Sequence, residues 1–186
     1  MEDALLAFIS QYVSLTDEET SQFLELDLIS TYEKGTQLVQ EGESTQLDYF
    51  VLKGCVVKYY VVDGEQKVTA IYTENEGIDS PRGLADYHLD VLEDSVLLAV
   101  DDETADRYIE KIPKFATMCR LMAEQMLSKN QLSFDQYRTA TPEQRYRRLA
   151  EERPDLLQRV PQYYLASYIG IKPESLSRIR KRMAAS

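Results

Sequence analysis

Glu174, Ser175, Ser177 and Arg178 are the side chains of this 186-residue chain best suited to reading the edges of nucleic-acid bases. A guanidinium can fork onto O6 and N7 of guanine, a carboxylate accepts from N4 of cytosine, and a serine hydroxyl serves a base or a phosphate. Around them Lys172, Arg180, Lys181 and Arg182 supply cations of the kind that contact phosphates. The spacing sorts this stretch, KPESLSRIRKRM, into two helical faces. Leu176, Ile179 and Met183, three and four apart, would turn inward, leaving Glu174, Ser177, Arg178 and Lys181 outside. Lysine and arginine on a bare exposed helix would do no more than solvate it and offset its dipole. The residues before the helix decide between the two readings.

Those residues, VPQYYLASYIGIKP, have the arithmetic of a helix-turn-helix: a short helix from about Pro161, a turn at Gly170-Ile171-Lys172, and a second helix opened by Pro173. Gly170 can take the left-handed conformation that ends a helix, and Ile171 gives the turn an apolar plug. Lys172, before proline, is pushed out of helical geometry into the cap position. Pro173 loses no hydrogen bond at the first helical position, and Glu174 meets the positive end of the helix dipole.

Charge divides the chain at about the same place. Residues 1–140 carry eleven Lys and Arg against twenty-seven Asp and Glu, net −16; residues 141–186 carry ten against five, net +5. The tail suits a polyanion, and the body repels one. No apolar run reaches the roughly 18 to 20 residues that cross a bilayer, and the first basic residue is Lys34, so neither a span nor a signal peptide is expected. A cytoplasmic protein with no membrane partner is the simplest reading. Cys55 and Cys119 lack local partner spacing and read as buried, reduced thiols.

An amphipathic opening places Leu5, Phe8, Ile9 and Tyr12 at helical spacing, and Thr16 before Glu19 reads as a capping box for a second helix. From Ser30 to Asp101, recurring glycines separate short β-prone runs, with a hairpin turn expected at Asp63-Gly64. Residues 102–112 repeat apolar positions at helical intervals until Pro113, which either interrupts that helix or opens the next. The following helix carries Phe115, Met118, Leu121, Met122, Met126 and Leu132. Its stripe could rest on the chain's own β body or on the same helix of a second subunit, and periodicity alone leaves both open. Thr141 and Pro142 then cap and open a helix to about Arg153. The expected architecture is α+β, with an antiparallel β-roll over 1–112, a long helix over 113–138 and a helix-turn-helix over 139–186.

Catalysis is not expected. No Ser/His/Asp set, metal-ligand cluster or phosphate loop is visible, and Asp101-Asp102-Glu103 falls where a helix start favours acidic residues.

With these stretches in place, the chain resembles the Crp/Fnr superfamily of transcription regulators, in its shorter Bacteroidetes-type form. KGTQLVQEGESTQLDYFVLKGCVVKYY matches the family's β-roll pattern, RYRRLAEERPDLLQRVPQYYLASYIGI its approach to the DNA reader, and KPESLSRIRKR its recognition helix. The resemblance implies a homodimer that reads double-stranded DNA at a near-palindromic operator through Lys172, Pro173, Glu174, Ser175, Ser177, Arg178, Arg180, Lys181 and Arg182. It also implies that Phe115, Met118, Met122 and Met126 form the dimer seam.

The chain departs from the family where an effector would bind. Cyclic-nucleotide-binding members hold the phosphate after a Gly-Glu pair and with an arginine before a small hydroxyl residue. Here IDSPRGLADYHLDV follows Gly77 with neither. Arg82 is the only basic residue between Lys67 and Arg107, so binding of cyclic AMP or cyclic GMP is not expected. Two distant cysteines and the lone His88 offer no iron-sulfur or haem ligation, and no cofactor is expected. Gly77, Arg82, Tyr87 and His88 are the candidates for a remnant pocket, taking a small uncharged or cationic effector or none; His88 otherwise reads as a surface or loop residue. No strands follow the recognition helix to form a wing, which would place more weight on Arg180, Lys181 and Arg182. The competing reading is a β-roll ligand or protein-interaction module whose DNA reader has fallen out of use.

Overall fold

The computed structural model describes residues 2–25, 28–78 and 80–184. Helices α1 (Glu2–Ile9) and α2 (Asp17–Leu24) precede strands β1 (Ile29–Tyr32), β2 (Gln37–Val39), β3 (Ser44–Thr45), β4 (Leu47–Lys53), β5 (Val56–Val62), β6 (Glu65–Tyr72), β7 (Glu76–Ile78), β8 (Gly83–Leu84), β9 (His88–Val91) and β10 (Ser95–Asp101). After them come α3 (Asp102–Lys111), α4 (Pro113–Thr139), α5 (Pro142–Glu152), α6 (Leu156–Arg159), α7 (Gln162–Tyr168) and α8 (Pro173–Ala184). Two four-stranded antiparallel sheets, ordered β1-β10-β4-β7 and β2-β9-β5-β6, face each other, and β3 and β8 pair separately. The α+β roll read from the sequence is the fold observed.

Local chemistry accounts for the joints. Asp63 and Gly64 both take positive φ, 54° and 76°, which gives the two-residue β5–β6 hairpin the twist of its strands. Thr16 accepts from the Glu19 amide while the Glu19 carboxylate accepts from the Thr16 amide, the expected capping box. Asp101 caps α3 through the Thr104 amide at 2.6 Å, so the acidic run there serves a helix start. Pro113 opens α4, and α3 stops at Lys111. One helix escaped the sequence reading: α6 occupies the stretch between Arg153 and Pro161.

Strand alternation divides the apolar residues among three clusters. Along β5, Val56 points into the roll with Val51, Leu89 and Leu97, while Val57 and Tyr59 point out. Lys58 is also on the inner side and 5 % exposed, its ammonium 4.1 Å over the ring of Tyr87. Outside the first sheet, Leu52, Leu98 and Val100 pack against Leu5, Phe8 and Phe23 and against α4. Outside the second, Val57, Tyr59, Val68 and Ile71 share a cluster with Leu165, Ala166, Ile169, Leu176 and Ile179 of the C-terminal helices. Each fully buried aliphatic or aromatic side chain contributes about 1.5–3 kcal/mol, so the helix-turn-helix is fastened to the roll by a core they hold in common.

The second cluster corrects the expected dimer seam. Phe115, Met118 and Met122 are buried in the chain's own core, and Met126 lies over β7, where a Cβ on Gly77 would come within 2.6 Å of its sulfur. All four face the roll of their own chain. The physical reason is that α4 carries two stripes, and the more apolar one is claimed by the nearer sheet. The other, Ala123, Leu127, Asn130, Phe134 and Tyr137, advances by fours and threes and is exposed along its length, with Leu127 69 % and Phe134 59 % accessible.

Candidate nucleic-acid interface

The turn before α8 is built as the sequence demands. Gly170 has φ 77°, the Ile171 amide donates to the Ala166 carbonyl and the Gly170 amide to that of Ser167, both at 2.9 Å. This pair of bonds closes α7 as a Schellman motif and points the chain into α8. The Lys172 carbonyl then accepts from Ser175 and Leu176, so Lys172 stands at the cap and Pro173 at the first helical position. Leu176 and Ile179 are buried and Met183 packs beside them. Two anchored residues fix the rotation of α8 about its axis.

That rotation brings Glu174, Ser177, Arg178 and Lys181 onto one outer face, with Glu174, Arg178 and Lys181 exposed and Ser177 half-buried. Arg178 Nε donates to the Glu174 carbonyl at 3.4 Å, which lays the guanidinium along the first turn of the helix. Pro173 and Lys172 are exposed at the same end. Ser175 and Arg180 lie on the flanks, half-buried. Arg182 is on the α5 side, donating to Glu143 at 2.7 Å. A phosphate contact by Arg182 would exchange that surface pair, worth at most about 1 kcal/mol. Beside the turn stands the tip of the β5–β6 hairpin, where Glu65 is held below the usual carboxylate range mainly by Lys67, with a smaller contribution from Lys172.

Other residues position this face, and the sequence reading missed them. Arg159 of α6 reaches three turns of the roll at once: it bonds Glu93 at 2.6 Å, Glu74 at 2.8 Å and the Gly54 carbonyl at 2.8 Å. These hydrogen bonds, led by Glu74, push its guanidinium still further toward the charged form. Arg153, the C-cap of α5, bonds Thr73 at 2.6 Å and Glu76 at 3.3 Å. Ser167 of α7 accepts from the Val68 amide at 2.9 Å and donates to the Gln66 carbonyl at 2.8 Å, satisfying one amide and one carbonyl of the edge strand β6. Between β6, the second half of α4 and the start of α8 lies an open cleft of about 1940 Å³, bordered by Leu132, Tyr137, Arg145, Tyr168 and Lys172.

The residues expected to line a remnant pocket do not converge. Adjacent strand residues face opposite sides, so Tyr87 is fully buried inside the roll while His88 lies outside it. His88 is a half-buried strand residue stacked on Tyr59 at 4.9 Å, correcting its reading as surface or loop. Arg82 has both sides of its guanidinium committed, to Asp48 at 2.9 Å and to Asp102 at 2.9 Å. Gly77 is covered by Phe50 and Met126. Among the described residues, no group of three or more His, Cys, Asp or Glu side chains could hold a metal ion. Within the same residues, no helix is long and apolar enough to cross a membrane.

A roll of two antiparallel sheets, a long helix and a terminal helix-turn-helix make an overall fold shared with several solved proteins. The chain is similar to the regulator CLP of Xanthomonas campestris, a c-di-GMP-responsive global regulator, with TM-score 0.67 and 16% identity over 91% of this chain and 92% of that one. It is similar also to FixK2 of Bradyrhizobium japonicum, with TM-score 0.65 and 16% identity over 84% of each chain. The catabolite activator protein of Thermus thermophilus matches with TM-score 0.55 and 21% identity, over 94% of this chain and 86% of that one. At these identities the likeness is one of fold. No family model and no curated protein sequence matches the chain.

Proposed function

We propose that the chain is a sequence-specific DNA-binding transcription regulator that works as a homodimer and reads a near-palindromic operator. The observation that carries this is the outer face of α8, whose acceptor, hydroxyl and guanidinium groups are aimed together by the Gly170 turn and the Leu176–Ile179 anchor. Arg178 and Glu174 read bases; Lys172 and Lys181 hold phosphates, joined at the flanks by Arg180 and Arg182. Pro173 sets the helix start, and Ser175 and Ser177 add hydroxyls at its edge.

The dimer forms along the exposed stripe of α4, through Ala123, Leu127, Phe134 and Tyr137, since Phe115, Met118, Met122 and Met126 are taken by the roll. Two recognition helices on a twofold axis then meet half-sites about 34 Å apart. The roll does not take cyclic AMP or cyclic GMP. Arg82 is neutralised by two carboxylates, and Tyr49, Tyr87, Leu89 and Leu97 fill the interior.

Selection of bound duplexes from a random pool tests the reading. A palindromic consensus with two half-sites supports it. Enrichment of no sequence overturns it in favour of a roll whose reader is idle.

A further inference from the structure

Arg159 ties the helix-turn-helix to the roll through groups that lie outside α8. Its guanidinium bonds carboxylates from the β6–β7 and β9–β10 turns and the carbonyl of the β4–β5 turn, while Ser167 bonds two successive parts of β6. The only covalent joint between α4 and α5 is the short stretch Ala140–Thr141. A joint of two residues limits separation but leaves rotation about its backbone dihedrals. The roll removes that freedom, because α4 is itself packed on the roll through Phe115, Met118 and Met122. Both ends of the path from α4 to α8 are therefore fixed to the same rigid body.

In a dimer joined along α4, this second attachment has a consequence for operator choice, and it rests on the dimeric DNA-binding reading above. We infer that Arg159, with Ser167, is a positioning residue that fixes the distance and rotation between the two recognition helices, and so determines which half-site spacing the protein accepts. Each base pair added between half-sites moves one of them by about 3.4 Å along the duplex and rotates it by roughly a tenth of a turn. A reader held by Ala140–Thr141 and by the non-directional apolar contacts of Leu165, Ala166 and Ile169 with the roll can slide to follow such a shift. A reader also clamped at Arg159 cannot without breaking the clamp. Base choice within a half-site depends on Glu174 and Arg178 and is independent of Arg159.

The experiment compares the full chain with its Arg159→Gln and Ser167→Ala variants on duplexes bearing the selected half-site at the preferred spacing and one or two base pairs closer or further apart. Hydrogen exchange at the Val68 amide, whose acceptor is Ser167 Oγ, reports the clamp without DNA. Protected amides in β10 show that the roll is folded. The wild type is expected to bind displaced half-sites about tenfold more weakly per base pair of shift. For Arg159→Gln the difference falls to about twofold, with faster Val68 exchange and unchanged base preference inside each half-site. Retained spacing discrimination despite faster exchange overturns the inference. Loss of base preference as well makes Arg159 merely structural and overturns it too. Unchanged Val68 exchange in both variants shows that there is no clamp to release. A wild type that binds no duplex, with Val68 still protected, overturns the DNA-binding reading and leaves the clamp as a fold contact only.

Discussion

The hydroxyl of Tyr137, at the end of α4, occupies the space into which a side chain on Gly170 would grow: a Cβ there would come to 2.8 Å from Oη. Arg145 closes the contact, its guanidinium 4.2 Å from the Tyr137 ring. The turn before α8 is therefore in register with the long helix as well as with the roll. Gly170 also has φ 77°, where a Cβ costs about 1–2 kcal/mol. Gly170→Ala should lower unfolding stability by about that amount in urea titration, and Gly170→Asn by less, since asparagine tolerates this conformation. Equal losses for the two would mean that Tyr137, not φ, sets the cost.

The two stripes of α4 separate stability from assembly. Leu127→Glu or Phe134→Glu should turn a dimer into a monomer in sedimentation without lowering the monomer's melting temperature, because both side chains are exposed. Met118→Ala should do the reverse, destabilising by about 2–5 kcal/mol through a cavity in the second cluster while leaving the oligomeric state intact. A dimer that survives both glutamates does not use this stripe.

These stripes also show where sequence reading stops. A period of 3.6 identifies apolar faces but carries no label for the surface that will cover them, so Phe115, Met118 and Met122 fitted a partner helix as well as a sheet. Helix α8 is legible because each position has a local reason: Gly170 a left-handed φ, Pro173 a free first turn, Leu176 and Ile179 an inward spacing. Tyr87 and His88 are separable from sequence only once HLDV is recognised as a strand, because residues adjacent along a strand face opposite sides. Arg159 carried no signal at all. Its partners Glu74 and Glu93 lie far off in the chain, and nothing in LLQRVP distinguishes an ion-paired arginine from a solvated one.

On DNA, Arg178→Ala should relax preference at one base position by about 1–3 kcal/mol. Lys181→Ala should weaken every sequence alike and reduce the slope of log affinity against log salt by about one. The measurement is a titration of labelled duplexes at several salt concentrations. Identical profiles for the two variants would place both side chains on phosphates.

Alkaline pH should unfold the protein through groups the roll keeps neutral. Cys55 is fully buried, and burial pushes its thiol from an ordinary value near 9 up to about 12. Tyr49 rises to about 12, chiefly by burial, with Tyr32 and Tyr87 adding to it. For such groups the unfolded chain loses its proton first. Above about pH 9 the folded state therefore holds more protons than the unfolded one, and stability falls as pH rises toward 12. Urea midpoints measured between pH 8 and pH 11 should decline, and Cys55→Ala should flatten the earliest part of that decline. A thiol reagent at pH 8 should leave Cys55 unmodified until the chain unfolds; rapid modification of Cys55 in the native state would mean that the junction of roll and reader opens to solvent.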